Sequence, residues 1–166
     1  MKKLTVLSAS AVLSMVLFSN SFAQSTATQS VTLAVNTVYK IATSGNPGPL
    51  TITDATAGVD ALTSVSDNST TYSITQNFGN TVKITAYMDA VLAAGYSLEL
   101  NLASTKGTSV GATDISNATS GSAVDVVTSI QRGADAGQAI GYTFSATASA
   151  GTMASTTRTI TLTLTN

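Results

Sequence analysis

The chain has 166 residues, of which 43% are hydrophobic and 9% charged, with a formal net charge of −1 and no cysteine or histidine. Without those two residue types, Ser-His-Asp and Cys-His catalytic arrangements and the common zinc sites are excluded, and no disulfide can staple the fold. Neither sign of charge clusters, so a basic stripe for nucleic acid or anionic lipid is missing too.

In chain order, the first element is an address. Lys2 and Lys3 form a positive start, Leu4 to Phe18 an apolar run, and Ser21-Phe22-Ala23 places small residues before a cut. That is the three-part pattern of a secretory signal peptide spanning 1–23. Cleavage before Gln24 leaves 143 residues, enough for one domain with its own core, with five basic residues against eight acidic ones. No cysteine follows the apolar run and no later apolar run is long enough for a membrane span. The expectation is a secreted, extracellular or cell-surface bacterial protein without a lipid anchor.

The mature region contains most of the 29 threonines and 22 serines of the chain, many of the threonines alternating with Val, Ile and Leu. β-Branched threonine suits a pleated, half-exposed surface, and helix faces rich in Leu, Glu, Lys and Arg are missing. The composition is all-β.

A polar leader, Gln24 to Gln29, precedes Ser30 to Ala42, whose odd positions run Val31, Leu33, Val35, Thr37, Tyr39, Ile41. A period of two over that length predicts extended chain with one apolar face. Residues 24–42 therefore form an N-terminal extension and first strand, and 43–166 the body. Ser44-Gly45-Asn46-Pro47-Gly48-Pro49 holds both prolines of the chain and predicts a turn, followed by a short strand over Leu50 to Thr53. Residues 54–69 lack alternation and predict an irregular crossover or helical turn. Thr71 to Phe78 and Val82 to Met88 alternate on either side of Phe78-Gly79-Asn80, which predicts a hairpin. Tyr96, Leu98, Leu100 and Leu102 mark a regular strand, 104–122 a long surface loop with room for a short edge strand, and Ala123 to Ile130 another strand. Gln131 to Gln138 predicts a turn. Ile140 to Ala148 and Arg158 to Asn166 predict the last two strands. Roughly 8–9 strands with regularly spaced turns and no internal repeat point to a single antiparallel β-sandwich, Ig-like or jelly-roll-like.

Candidate chemistry is thin. The carboxylates are scattered and mostly at turns, which predicts solvated loop acids rather than a glycosidase pair. Asp67-Asn68-Ser69 and Asp135-Ala136-Gly137 lack the alternating oxygen ligands of a calcium loop. Asn68-Ser69-Thr70 and Asn117-Ala118-Thr119 match the glycosylation sequon, as chance allows in so hydroxyl-rich a chain. Tyr39, Tyr72, Tyr96 and Tyr142 lie on apolar strand faces and are expected in the core or at a sheet rim. No acceptor can be chosen for an isopeptide bond from Lys40 or Lys83. The expectation is a protein that is not an enzyme and has no cofactor or metal.

What remains is assembly. An edge strand presents unpaired N–H and C=O groups that invite another strand, and a sandwich short of one strand can take it from a neighbour. Two roles are open for Ser30–Ala42: the first strand of its own sheet, or a donated strand. The residues assigned to this assembly strand are Val31, Leu33, Val35, Tyr39 and Ile41, with Asn36-Thr37 as the hinge between a donated and a resident half. Candidate groove residues are Ile160, Leu162 and Leu164 on the closing strand.

With its signal peptide, N-terminal alternating segment, threonine-rich strands and closing TRTITLTLT strand, the chain resembles secreted bacterial pilin-like subunits of donor-strand filaments. It lacks the cysteine pair and the aromatic C-terminal ending of chaperone–usher pilins. The resemblance implies a homopolymer: a surface filament, fimbrium or biofilm-matrix fibre. The alternative is a monomeric adhesin or glycan- or protein-binding module acting through its loops, such as 104–122.

Overall fold

The computed structural model describes residues 25–166, and the expected signal peptide, 1–23, lies outside the described residues. Two units divide the chain, Met1–Ala34 and Val35–Asn166. Within the first, residues 25–34 are exposed and carry no regular structure.

The second unit is nearly all strand: β1 (Tyr39–Thr43), β2 (Val65–Gln76), β3 (Val82–Met88), β4 (Tyr96–Leu102), β5 (Thr108–Ser109), β6 (Thr113–Asp114), β7 (Val124–Ile130), β8 (Gly133–Ala146) and β9 (Ile160–Thr165). The described residues contain no α-helix, only one 3-10 turn over Ala148–Ala150. No helix among them is long and apolar enough to cross a membrane. Two antiparallel sheets result, ordered β1-β2-β8-β4-β6 and β5-β7-β3-β9.

Period-two patterning explains how the sheets share one core. Val82, Ile84, Ala86 and Met88 of β3 are buried while Lys83, Thr85 and Tyr87 between them are not. Leu98, Leu100 and Leu102 of β4 do the same from the other sheet, and all join a single apolar cluster with Tyr72, Ile74, Val126, Ile130, Ile140 and Tyr142. Each such Leu or Ile contributes roughly 2 kcal/mol by leaving water. The arrangement is consistent with the β-sandwich expected from the sequence. Tyr39 and Tyr96 are half-buried at the margins of this core.

Several local expectations fail for identifiable reasons. The alternating stretch from Ser30 does not become strand until Tyr39, because β2 ends at Gln76, opposite Tyr39, and offers nothing earlier to pair with. Leu50 to Thr53 is not strand; only a bridge between Ala55 and Leu62 forms nearby. β2 and β3 do not form a hairpin but lie in different sheets. The buried Gln76 turns the chain there: its amide donates to the Ile130 carbonyl at 3.3 Å, and its Oε1 accepts the Phe78 N–H at 2.7 Å. The segment 104–122 does hold short edge strands, but two of them, β5 and β6, one in each sheet, and it also supplies the buried Ile115. Residues 133–138 are part of β8 rather than a turn. Gly137, at φ 64°, sits in a bulge where the β2–β8 register slips, and its N–H is taken by Ser73 Oγ at 3.0 Å. Asp67-Asn68-Ser69 forms the other bulge of the same pair, with Asp67 Oδ1 accepting from Ser69 N–H and Oγ.

Candidate functional site

β1 and β9 are the outer strands of the two sheets on the same side of the molecule. β9 pairs with β3 and, among the described residues, no strand pairs with its other edge; β1 likewise pairs only with β2. The two run in opposite directions. Tyr39 lies opposite Gln76 and Lys83 opposite Thr165, so the start of β1 and the end of β9 share one end of the sandwich, next to Asn77. Thr43 lies opposite Tyr72 and Ile160 opposite Met88, which places the end of β1 and the start of β9 at the far end.

Towards that far end the sheets part around a groove of about 1070 Å³. Ile41, Leu50, Ile52, Leu62 and Tyr96 line it on one side, and Arg158, Ile160 and Leu162 on the other, with Leu98, Tyr142 and Phe144 behind. Its walls follow from local sequence. The proline-glycine run 45–49 prevents strand continuation after β1, leaving Leu50 and Ile52 as rim. Tyr96 stacks on Phe144 at 6.4 Å, and its hydroxyl reaches the Ala150 carbonyl at 3.3 Å, bracing the base of the 151–159 connection. At the Asn77 end Tyr39 packs on Phe78 with ring centres 5.7 Å apart.

Of the residues chosen from sequence, Ile160 and Leu162 line the groove. Leu164 shares their inward face but is not among the groove residues; it packs half-buried on the core. Ile41 is part of the wall, and Tyr39 is seated against the core. Val31, Leu33 and Val35 are the most exposed large apolar residues described, at 73%, 86% and 87%. Thus Tyr39 and Ile41 are resident in β1, whereas the three earlier positions are exposed.

Sequence reasoning missed three residues. Asn77 brackets the start of the body. Its Oδ1 accepts the Val38 N–H at 2.7 Å, its Nδ2 donates to the Asn36 carbonyl at 2.9 Å, and its own N–H reaches the Val38 carbonyl at 3.3 Å. Arg158 continues the inward row of Ile160 and Leu162, two residues upstream. Its Nη1 donates to Thr156 Oγ1 at 3.1 Å, but its Nε is buried without a partner. Asp135, expected as a solvated loop acid, is only 2% exposed. Parity alone would have flagged Arg158; nothing in the sequence marks the other two.

Charge plays little part in the groove. The ion pair among the described residues is Lys83–Asp125, 2.9 Å apart on the outer face of β3 and β7, and no group of three metal-ligating side chains occurs there. No family model, characterised protein or solved structure matches the chain.

Proposed function

We infer that this chain is a secreted structural subunit, an antiparallel sandwich of Ig-like or jelly-roll-like kind, that polymerises by inserting the Val31–Val35 segment of one copy into the β1/β9 groove of the next. The observation that carries this reading is the pairing of two unsatisfied surfaces. Three alternating apolar side chains stand in water, and a groove lined by Ile160, Leu162 and Ile41 has an unpaired strand edge beside it. Val31 to Val35 spans about 13 Å when extended, the same reach as Arg158 to Leu162. Burying the three side chains would contribute roughly 2 kcal/mol each, with backbone pairing to β9 in addition.

Direction follows from the two ends of the body. The chain enters β1 at the Asn77 end, and the groove opens at the opposite end. A copy stacked head-to-tail feeds its extension into the open mouth of its neighbour, with Val35 nearest Arg158 and Val31 deepest, antiparallel to β9. The contact is heterologous and does not close, which yields a filament. The pilin-like resemblance points the same way.

Leu33→Asp should leave secretion and fold intact and abolish polymers, because the carboxylate would have to be desolvated in an apolar groove. Size exclusion and negative-stain microscopy of the secreted protein provide the readout. Normal fibres from a chain truncated before Val38 would sink strand donation, and a compact wild-type monomer would favour the adhesin or binding-module alternative.

A further inference from the structure

Resting on strand donation, the groove wall opposite β9 acquires a role of its own. Residues 44–55 continue the edge of the five-stranded sheet past the end of β1. The Ser44 N–H donates to the Thr71 carbonyl at 2.9 Å, the Gly48 N–H to Asp67 Oδ2 at 3.3 Å, and the Thr63 N–H to the Asp54 carbonyl at 3.0 Å. One chain is ascended as the other is descended, so this stretch keeps the direction of β1, antiparallel to β2 and its approach. Between Gly48 and Asp54 the ties stop. Among the described residues, no hydrogen bond involves the backbone of Leu50, Thr51, Ile52 or Thr53. Pro47 and Pro49, which have no N–H to donate, start the detachment.

The side chains of the detached segment nonetheless alternate. Leu50 and Ile52 are half-buried, Thr51 and Thr53 exposed, and Leu50 packs on the core. This is the period of a strand without its ladder, and backbone groups left unpaired seek partners. Leu50, Thr51 and Ile52 line the same groove as Ile160 and Leu162, on the facing wall. A strand entering there has two edges. Pairing with β9 satisfies one, and the other is a row of N–H and C=O groups that invites a further strand. We propose that Leu50–Thr53 becomes that strand, pairing with the second edge of the Val31–Val35 segment of the next copy. With the donated strand antiparallel to β9, this second pairing is parallel, and the inserted segment joins the two sheets along one side.

The test uses the full chain carrying Leu33→Asp, which keeps its own extension out of neighbouring grooves, titrated with a synthetic peptide of residues 28–38. Amide hydrogen exchange is followed residue by residue by NMR. Along a strand, successive N–H groups point to opposite edges. One alternate pair, Leu50 and Ile52 or Thr51 and Thr53, should therefore slow by roughly a hundredfold at a peptide concentration about 100 times the dissociation constant. All four should exchange freely without peptide. N-methylation of the peptide at Leu33 blocks one edge and at Ala34 the other, and each should weaken binding about tenfold or more. Binding that is weakened by only one of the two, or that leaves exchange over Leu50–Thr53 unchanged, would overturn the second pairing while leaving strand donation standing. Failure of the unmodified peptide to bind at all would remove both.

Discussion

At the scale of single residues, the best-satisfied polar group is one whose sequence context gave no warning. Asp135 Oδ2 accepts from Ser104 Oγ at 2.8 Å, Thr105 N–H at 2.9 Å and Lys106 N–H at 3.1 Å, and Oδ1 accepts from Thr105 Oγ1 at 2.6 Å. Burial by itself would raise its pKa, but the hydrogen bonds from Thr105, Ser104 and the two backbone N–H groups hold it below the ordinary aspartate value. Beside it, Tyr72 donates to the Ala103 carbonyl at 2.5 Å, and its own pKa is pushed up to about 12 by burial, with the charge of Asp135 adding to the effect. The carboxylate thus pins the start of the β4–β5 connection to β8. Because the folded carboxyl holds its proton less tightly than the unfolded one, its stabilisation is complete above the ordinary pKa of about 3.9 and is lost as pH falls through the lower, folded value. Asp135→Asn, which replaces an acceptor oxygen with a donor facing other donors, should cost on the order of 2 kcal/mol at neutral pH. Urea unfolding across pH 2 to 7 should also show a flatter acid limb for the variant. Equal stabilities and superimposable pH profiles would contradict the role given to this carboxylate.

Elements show where sequence patterning suffices and where it does not. Strands β3 and β4 were legible, because one buried face against one solvated face writes a period of two directly into residues such as Ile84 and Leu100. Partner choice was not. Phe78-Gly79-Asn80 looks like a hairpin turn, yet the buried Gln76 amide makes it a crossing between sheets. The half of Ser30–Ala42 proposed to be donated carries the same alternation as a resident strand, since the physics that selects it is identical whichever copy supplies the core. Groove residues Ile160 and Leu162 could be chosen from pattern, but the groove's length could not. It depends on where β1 and β9 converge, and that leaves Leu164 outside the lining. Close packing between elements was equally silent in the sequence. A Cβ at Gly107 would lie 2.6 Å from Ile130 Cγ1 and 2.8 Å from the Thr128 carbonyl, so this glycine lets the β5 edge seat on β7. Gly107→Ala should destabilise by about 1–3 kcal/mol, since a backbone oxygen cannot rotate aside. An unchanged urea midpoint would show that β5 yields without cost.

For the whole molecule, the groove is also a statement about stability. The body has no disulfide, and two edge strands flank a groove of about 1070 Å³ where a packed sandwich would carry side chains. On the proposed function the protein is less stable alone than with the groove filled, since anything that binds the folded form but not the unfolded one raises stability by mass action. Leu33→Asp monomers should therefore melt below wild-type polymer. Adding the 28–38 peptide at about 100 times its dissociation constant should restore about 2.7 kcal/mol. In a domain this size that corresponds to an increase in melting temperature of roughly 10 °C. The increase should grow with the logarithm of peptide concentration and disappear for a peptide carrying Leu33→Asp. Leu162→Asp in the protein should also remove it, because that substitution places a charge in the groove wall while the rest of the core, from Ile84 to Ile140, keeps its packing. A melting temperature indifferent to peptide would mean that the groove is a property of the monomer and not a place reserved for a second chain.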